Sequence, residues 1–77
     1  MAGKTIPYTD DKIRHLRCCR CGKKAVHQWK ACADGGVWRP LCLQCDFDLN
    51  ELALTFMRVP NAARKLRRYA KGLGLKP

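Results

Sequence analysis

Between residues 25 and 41 the pattern is that of two short strands around a turn. Val26, Trp29, Val37 and Trp38 flank Ala33-Asp34-Gly35-Gly36. Strand-favouring residues on both sides of an Asp-Gly step predict a hairpin with strands over 25–32 and 37–41. Pro40 has no amide hydrogen, so it ends the second strand or places it on an edge. Past this point the period lengthens. Cys45, Leu49, Leu52 and Phe56 recur at steps of four, three and four. They share one face of a helix running to Met57, and that face is expected to pack on the hairpin. Phe47, Leu54 and Met57 fall off it and need the last helix or a partner. Asp46, Asp48 and Glu51 lie in the first turns, where the helix dipole favours acids, as caps and supports of the turn below.

Pro60-Asn61 starts a second helix, 62–71, ended by Gly72. Ala62, Leu66, Tyr69, Ala70 and Leu73 form one stripe of it. Arg64, Arg67, Arg68 and Lys71 form the opposite stripe, with Lys65 at its flank. At the other end, residues 1–12 read as a flexible arm with little to bury. Thr9 or Asp10 is placed to cap a short turn through residues 13–16.

Seventy-seven residues make one small domain with a modest core that needs a staple. The cysteines supply it. Cys18-Cys19-Arg20-Cys21-Gly22 is followed, with twenty residues between Cys21 and Cys42, by Cys42-Leu43-Gln44-Cys45. Two Cys-x-x-Cys pairs at this separation are the pattern of a four-thiolate zinc site, because two intervening residues let both sulfurs of a pair grip one ion. The expected ligands are Cys18, Cys21, Cys42 and Cys45, holding one structural Zn²⁺. Cys19 and Cys32 are surplus, and Cys32 is expected as a small buried residue late in the first strand. No apolar leader precedes the site, so a reducing, cytoplasmic setting is expected and zinc is favoured over disulfides. No run approaches the length that spans a bilayer.

Charge adds the next piece. Sixteen Lys and Arg face six Asp and Glu, a net of +10. Four thiolates subtract four charges and the ion returns two, leaving about +8 on the loaded protein. Such a surface favours polyanions, nucleic acid first and an acidic protein second. From residue 58 to 77 there are seven Lys or Arg and no acid. Arg64, Lys65, Arg67, Arg68 and Lys71 are therefore candidate phosphate contacts. Lys23 and Lys24 are candidates too, within a collar of Arg14, Arg17 and Arg20 around the first ligand pair. The same collar also offsets the charge of the metal centre. Trp29 and Trp38 either stack bases or cap the small core.

Knuckle, hairpin, then a helix whose first turn carries the second ligand pair is the order of a treble clef zinc finger, which this chain resembles. From Ala25 to Leu52 it also resembles the core of the HNH endonuclease family. In that family a Cys-x-x-Cys knuckle precedes a strand with the catalytic His, a loop that often contains Gly-Gly, and a second Cys-x-x-Cys. His27, Gly35-Gly36 and Cys42-Leu43-Gln44-Cys45 fall in that order. The resemblance implies His27 as a candidate catalytic base. It departs after the last cysteine, where Asp46 stands in place of the family's usual His or Asn. A binding rather than catalytic use of the scaffold is therefore expected. In style the chain resembles the small zinc-stapled accessory proteins of phages and bacteria.

The resulting expectation is an α+β, zinc-stapled treble clef with an additional basic C-terminal helix. Residues 1–12 form the arm, 13–58 the zinc domain, and 59–77 the basic helix and tail packed on it. The expected function is non-catalytic binding of DNA or RNA by a soluble monomer or homodimer without a membrane partner. The alternatives are a module that docks on and regulates an acidic partner such as a nucleic-acid enzyme, and a divergent nuclease using His27.

Overall fold

A computed structural model describes residues 5–75. The first four residues of the expected arm and residues 76 and 77 of the expected tail lie outside them. The chain divides into two compact units, Met1–Cys42 and Leu43–Pro77.

In the first unit, a single helical turn, α1 (Asp10–Ile13), is capped by Thr9, whose hydroxyl accepts from the Lys12 amide at 3.2 Å. Ile13 is buried at its end. Tyr8, within the expected arm, is held at both backbone groups by the Gln28 side chain: its N–H donates to Oε1 at 2.7 Å and its carbonyl accepts from Nε2 at 2.8 Å. The hairpin consists of β1 (His27–Lys30) and β2 (Trp38–Leu41), antiparallel, with His27 opposite Leu41 and Lys30 opposite Trp38.

Both strands are shorter than expected. The Asp-Gly-Gly turn opens into a 3-10 turn, Cys32–Asp34, followed by Gly35 at φ 74° and Gly36 at φ 72°. Two successive left-handed residues cannot continue a ladder, and only glycine adopts them without steric cost. Arg39 closes the loop with a two-pronged bond to Asp34, at 2.7 and 2.9 Å. Cys32 is consequently exposed in this turn, not buried in a strand. Pro40 sits inside β2, which is tolerated because both strands of a two-stranded sheet are edges. Its carbonyl accepts from the Cys19 amide at 2.9 Å. Trp38 is half-buried with the Lys30 ammonium 5.3 Å from its ring centroid, whereas Trp29 is 46% exposed. The buried apolar residues of this unit are Ile13, Ala25, Val37 and Leu41, beside Cys18 and Cys42.

The second unit is a pair of packed helices, α2 (Leu43–Phe56) and α3 (Ala62–Leu73). The connection uses a Schellman arrangement: the amides of Arg58 and Val59 return to the carbonyls of Thr55 and Leu54 at 3.2 and 3.1 Å, with Arg58 at φ 52° where glycine is usual. The α3 terminus repeats it. Gly74 and Leu75 donate to Lys71 and Ala70. Helix α3 thus passes through Gly72 and ends at Gly74, two residues beyond the expected stop.

The face of α2 also differs from the expected one. Cys45 is buried and Leu49 half-buried, but Leu52 and Phe56 are 68% and 87% exposed. Asp46 is buried instead. Its carboxylate accepts a hydrogen bond from the Tyr69 hydroxyl of α3. A hydroxyl on the packed face of α3 requires an acceptor, and this turns α2 so that Asp46 and Asn50 face inward. From α3, Leu66 and Ala70 are buried and Ala62, Tyr69 and Leu73 are half-buried.

The bond to Asp46, aided by burial, pushes the Tyr69 phenol up to about 12. Its folded-state value therefore exceeds the unfolded 10.0. The associated stability is complete below pH 10 and is lost as pH rises from 10 towards 12. Tyr69→Phe leaves the buried carboxylate without this donor and is expected to lower unfolding free energy by about 1–3 kcal/mol at neutral pH. Denaturant titrations at pH 8 and pH 11 check both points: the gap between wild type and variant should narrow at pH 11. An equal gap at both would refute the hydrogen bond as its cause.

Candidate metal centre

The four cysteines of the two Cys-x-x-Cys pairs come together. The Sγ atoms of Cys18, Cys21, Cys42 and Cys45 all lie within 4.8 Å of one another. Local backbone geometry explains the arrangement. Cys18 and Cys21 sit at the ends of a tight knuckle in which the Gly22 amide returns to the Cys18 carbonyl at 3.0 Å and the Cys18 amide donates to the Lys23 carbonyl at 2.6 Å. Gly22 adopts φ 78°, which lets the chain reverse immediately after the pair. The Arg20 amide donates to Cys18 Sγ at 3.4 Å, a bond that strengthens when the sulfur is a thiolate. Cys42 immediately precedes α2 and Cys45 lies in its first turn. The positive end of the helix dipole there favours negative sulfur.

The donor set fits zinc. None of the six cysteines is in a disulfide, and Cys21 and Cys42 Sγ are 3.4 Å apart, far beyond a disulfide bond of about 2.05 Å. Tetrahedral coordination with Zn–S bonds of about 2.3 Å requires sulfurs about 3.8 Å apart, within the observed spread. Cys18, Cys42 and Cys45 are buried and Cys21 is exposed. Four sulfurs fill the coordination shell and leave no position for a water, so a zinc ion held here would be structural. Cys19 and Cys32 are exposed and outside the cluster.

His27 opens β1, half-buried, opposite Leu41. Among the described residues, the four cysteines are the only group of three or more Cys, His, Asp or Glu gathered closely enough to hold a metal. Lys23 and Lys24 are exposed on the knuckle, and Arg64, Lys65, Arg67, Arg68 and Lys71 are exposed on α3. The Asp46–Tyr69 bond is not legible in the sequence, because Tyr69 reads as one more member of an apolar stripe. Its only signal in the chain is an acid in the first turn of a helix that lacks another neutralising partner. No helix among the described residues is long and apolar enough to cross a membrane. No family model, curated protein or solved structure matches the chain.

Proposed function

We propose that this is a zinc-stapled protein of treble clef type that binds nucleic acid, with the exposed face of α3 as its main contact. One observation carries the reading. Arg64, Lys65, Arg67, Arg68 and Lys71 are all exposed, and no ion pair among the described residues engages them. No acid occurs from residue 58 to the end of the chain. A face that served only solubility would interleave both signs. Arg64, Arg67, Arg68 and Lys71 follow steps of three, one and three, a stripe about 10 Å long at 1.5 Å per residue. Such a stripe presents several guanidinium groups to one stretch of phosphate backbone. Titration of the zinc-loaded protein against single- and double-stranded DNA and RNA at several salt concentrations tests it. Affinity that does not change with salt would sink it.

A second reading has an observation of its own. Leu52 and Phe56 in the second half of α2, and Met57 just after it, are 68, 87 and 63% exposed. Large apolar residues inside a charged rim are what a protein interface uses as its centre. On this reading the protein docks on an acidic partner such as a nucleic-acid enzyme, and Phe56→Ser abolishes capture of that partner while nucleic-acid affinity stays unchanged.

A further inference from the structure

We infer that the first unit carries a phosphate-binding cleft of its own, formed by Arg14, His15, Arg17 and Lys24, which takes a phosphodiester of a nucleic-acid strand. The inference rests on the nucleic-acid reading above and adds a site separate from α3. These residues, with Leu16, line a cleft of about 360 Å³. Arg17 and Lys24 form an isolated antiparallel bridge. The flanking bonds define its type: the Cys18 amide donates to Lys23 and the Ala25 amide to Leu16, at 2.6 and 3.1 Å. Residues so flanked are a non-hydrogen-bonded pair, whose Cα atoms stand about 4.5 Å apart and whose side chains project on the same face.

Two cations are thus held side by side by the backbone. Like charges directly opposite one another oppose the pairing. Arg14 and His15, at the end of α1, add to the same cleft. No acid lines it. The acids of this unit are Asp10 and Asp11, in the first turn of α1, and Asp34, which is engaged by Arg39. An anion between Arg17 and Lys24 converts a repulsive pair into a chelating one. A phosphodiester suits it, having two free oxygens for two donors and one charge per nucleotide.

The competing account is that these cations only balance the thiolates of the metal centre. It differs in what it predicts. The test uses the full, zinc-loaded chain labelled with ¹⁵N. It is titrated with an oligothymidylate of about five nucleotides and, separately, with inorganic phosphate. Amide shifts are read at residues 14–17 and 24 and along α3. The expected result is saturable oligonucleotide shifts at both places. In Arg17→Gln/Lys24→Gln the cleft shifts vanish, the α3 shifts persist, and the salt slope falls by about 1.4, at about 0.7 per single-strand phosphate contact. Arg14→Gln, which neighbours no ligand cysteine, lowers the slope by about 0.7 and decides the matter if the double variant fails to fold. Shifts confined to α3 overturn the cleft and leave the nucleic-acid reading standing. Shifts nowhere overturn both. Weakened zinc retention with unchanged oligonucleotide affinity overturns the cleft in favour of charge balance. A response to inorganic phosphate alone overturns the assignment to a nucleic-acid strand.

Discussion

Chelation of the metal, or Cys42→Ser, is expected to unfold this protein outright. A chain of 77 residues has a net stability of roughly 4–12 kcal/mol, from about 0.05–0.15 kcal/mol per residue. Binding of a structural zinc ion is worth about 10–16 kcal/mol at neutral pH, as much as the whole fold or more. The packing explains the dependence. Among the described residues no large side chain is fully buried, and three of the nine buried apolar residues are cysteines of the candidate metal-binding cluster. The expected result is one zinc per chain, a cooperative thermal transition in the loaded protein, and loss of that transition and of amide dispersion after chelation. Acid should release the ion as well, since the ligands must be deprotonated to bind it. Cys19→Ser and Cys32→Ser, both outside the cluster, should leave stoichiometry and midpoint unchanged. A Cys42→Ser protein that melts normally in chelator would remove the structural ion from this account.

What could be read from the chain was what short-range chemistry dictates. The cluster of four cysteines follows from two local turns, each of which brings its own pair of sulfurs together within four residues. The hairpin follows from Asp34-Gly35-Gly36, and the two helices follow from period and from Pro60-Asn61. What could not be read depends on groups far away in sequence. Leu52 and Phe56 fit the apolar face of α2 by spacing, but Tyr69 comes from α3 and requires Asp46 inside, so the helix presents a different face. The end of α3 turned on a choice between Gly72 and Gly74. Gly74 wins because it lets Leu75 return its amide to Ala70, a bond that spacing alone does not reveal. Likewise the basic collar was visible as composition, whereas the pairing of Arg17 with Lys24 required the knuckle to be folded.

The same distinction shapes the second prediction, that neutralising α3 removes the nucleic-acid affinity proposed above. Composition gives the sign of the charge, and the helix gives its placement on one exposed stripe. If all five α3 cations contact phosphates of a duplex, they contribute about 4.5 to the slope of log affinity against log salt, at about 0.9 per contact. Raising salt fourfold, from about 50 to about 200 mM, then weakens binding about 500-fold through these contacts alone. Arg64→Ala/Arg67→Ala/Arg68→Ala removes three contacts while keeping the helix, because alanine is the best helix former and all three positions are exposed. The slope should fall by about 2.7, and the same salt change should then cost about 40-fold less than in wild type. Zinc content and thermal midpoint should match wild type, which separates a lost contact from a lost fold. Phe56→Ser supplies the contrast, as it alters an exposed apolar residue and no charge. If Phe56→Ser weakens binding as much as the triple variant does, or if the triple variant keeps the wild-type slope, the contact is not electrostatic and α3 is not where the polyanion binds.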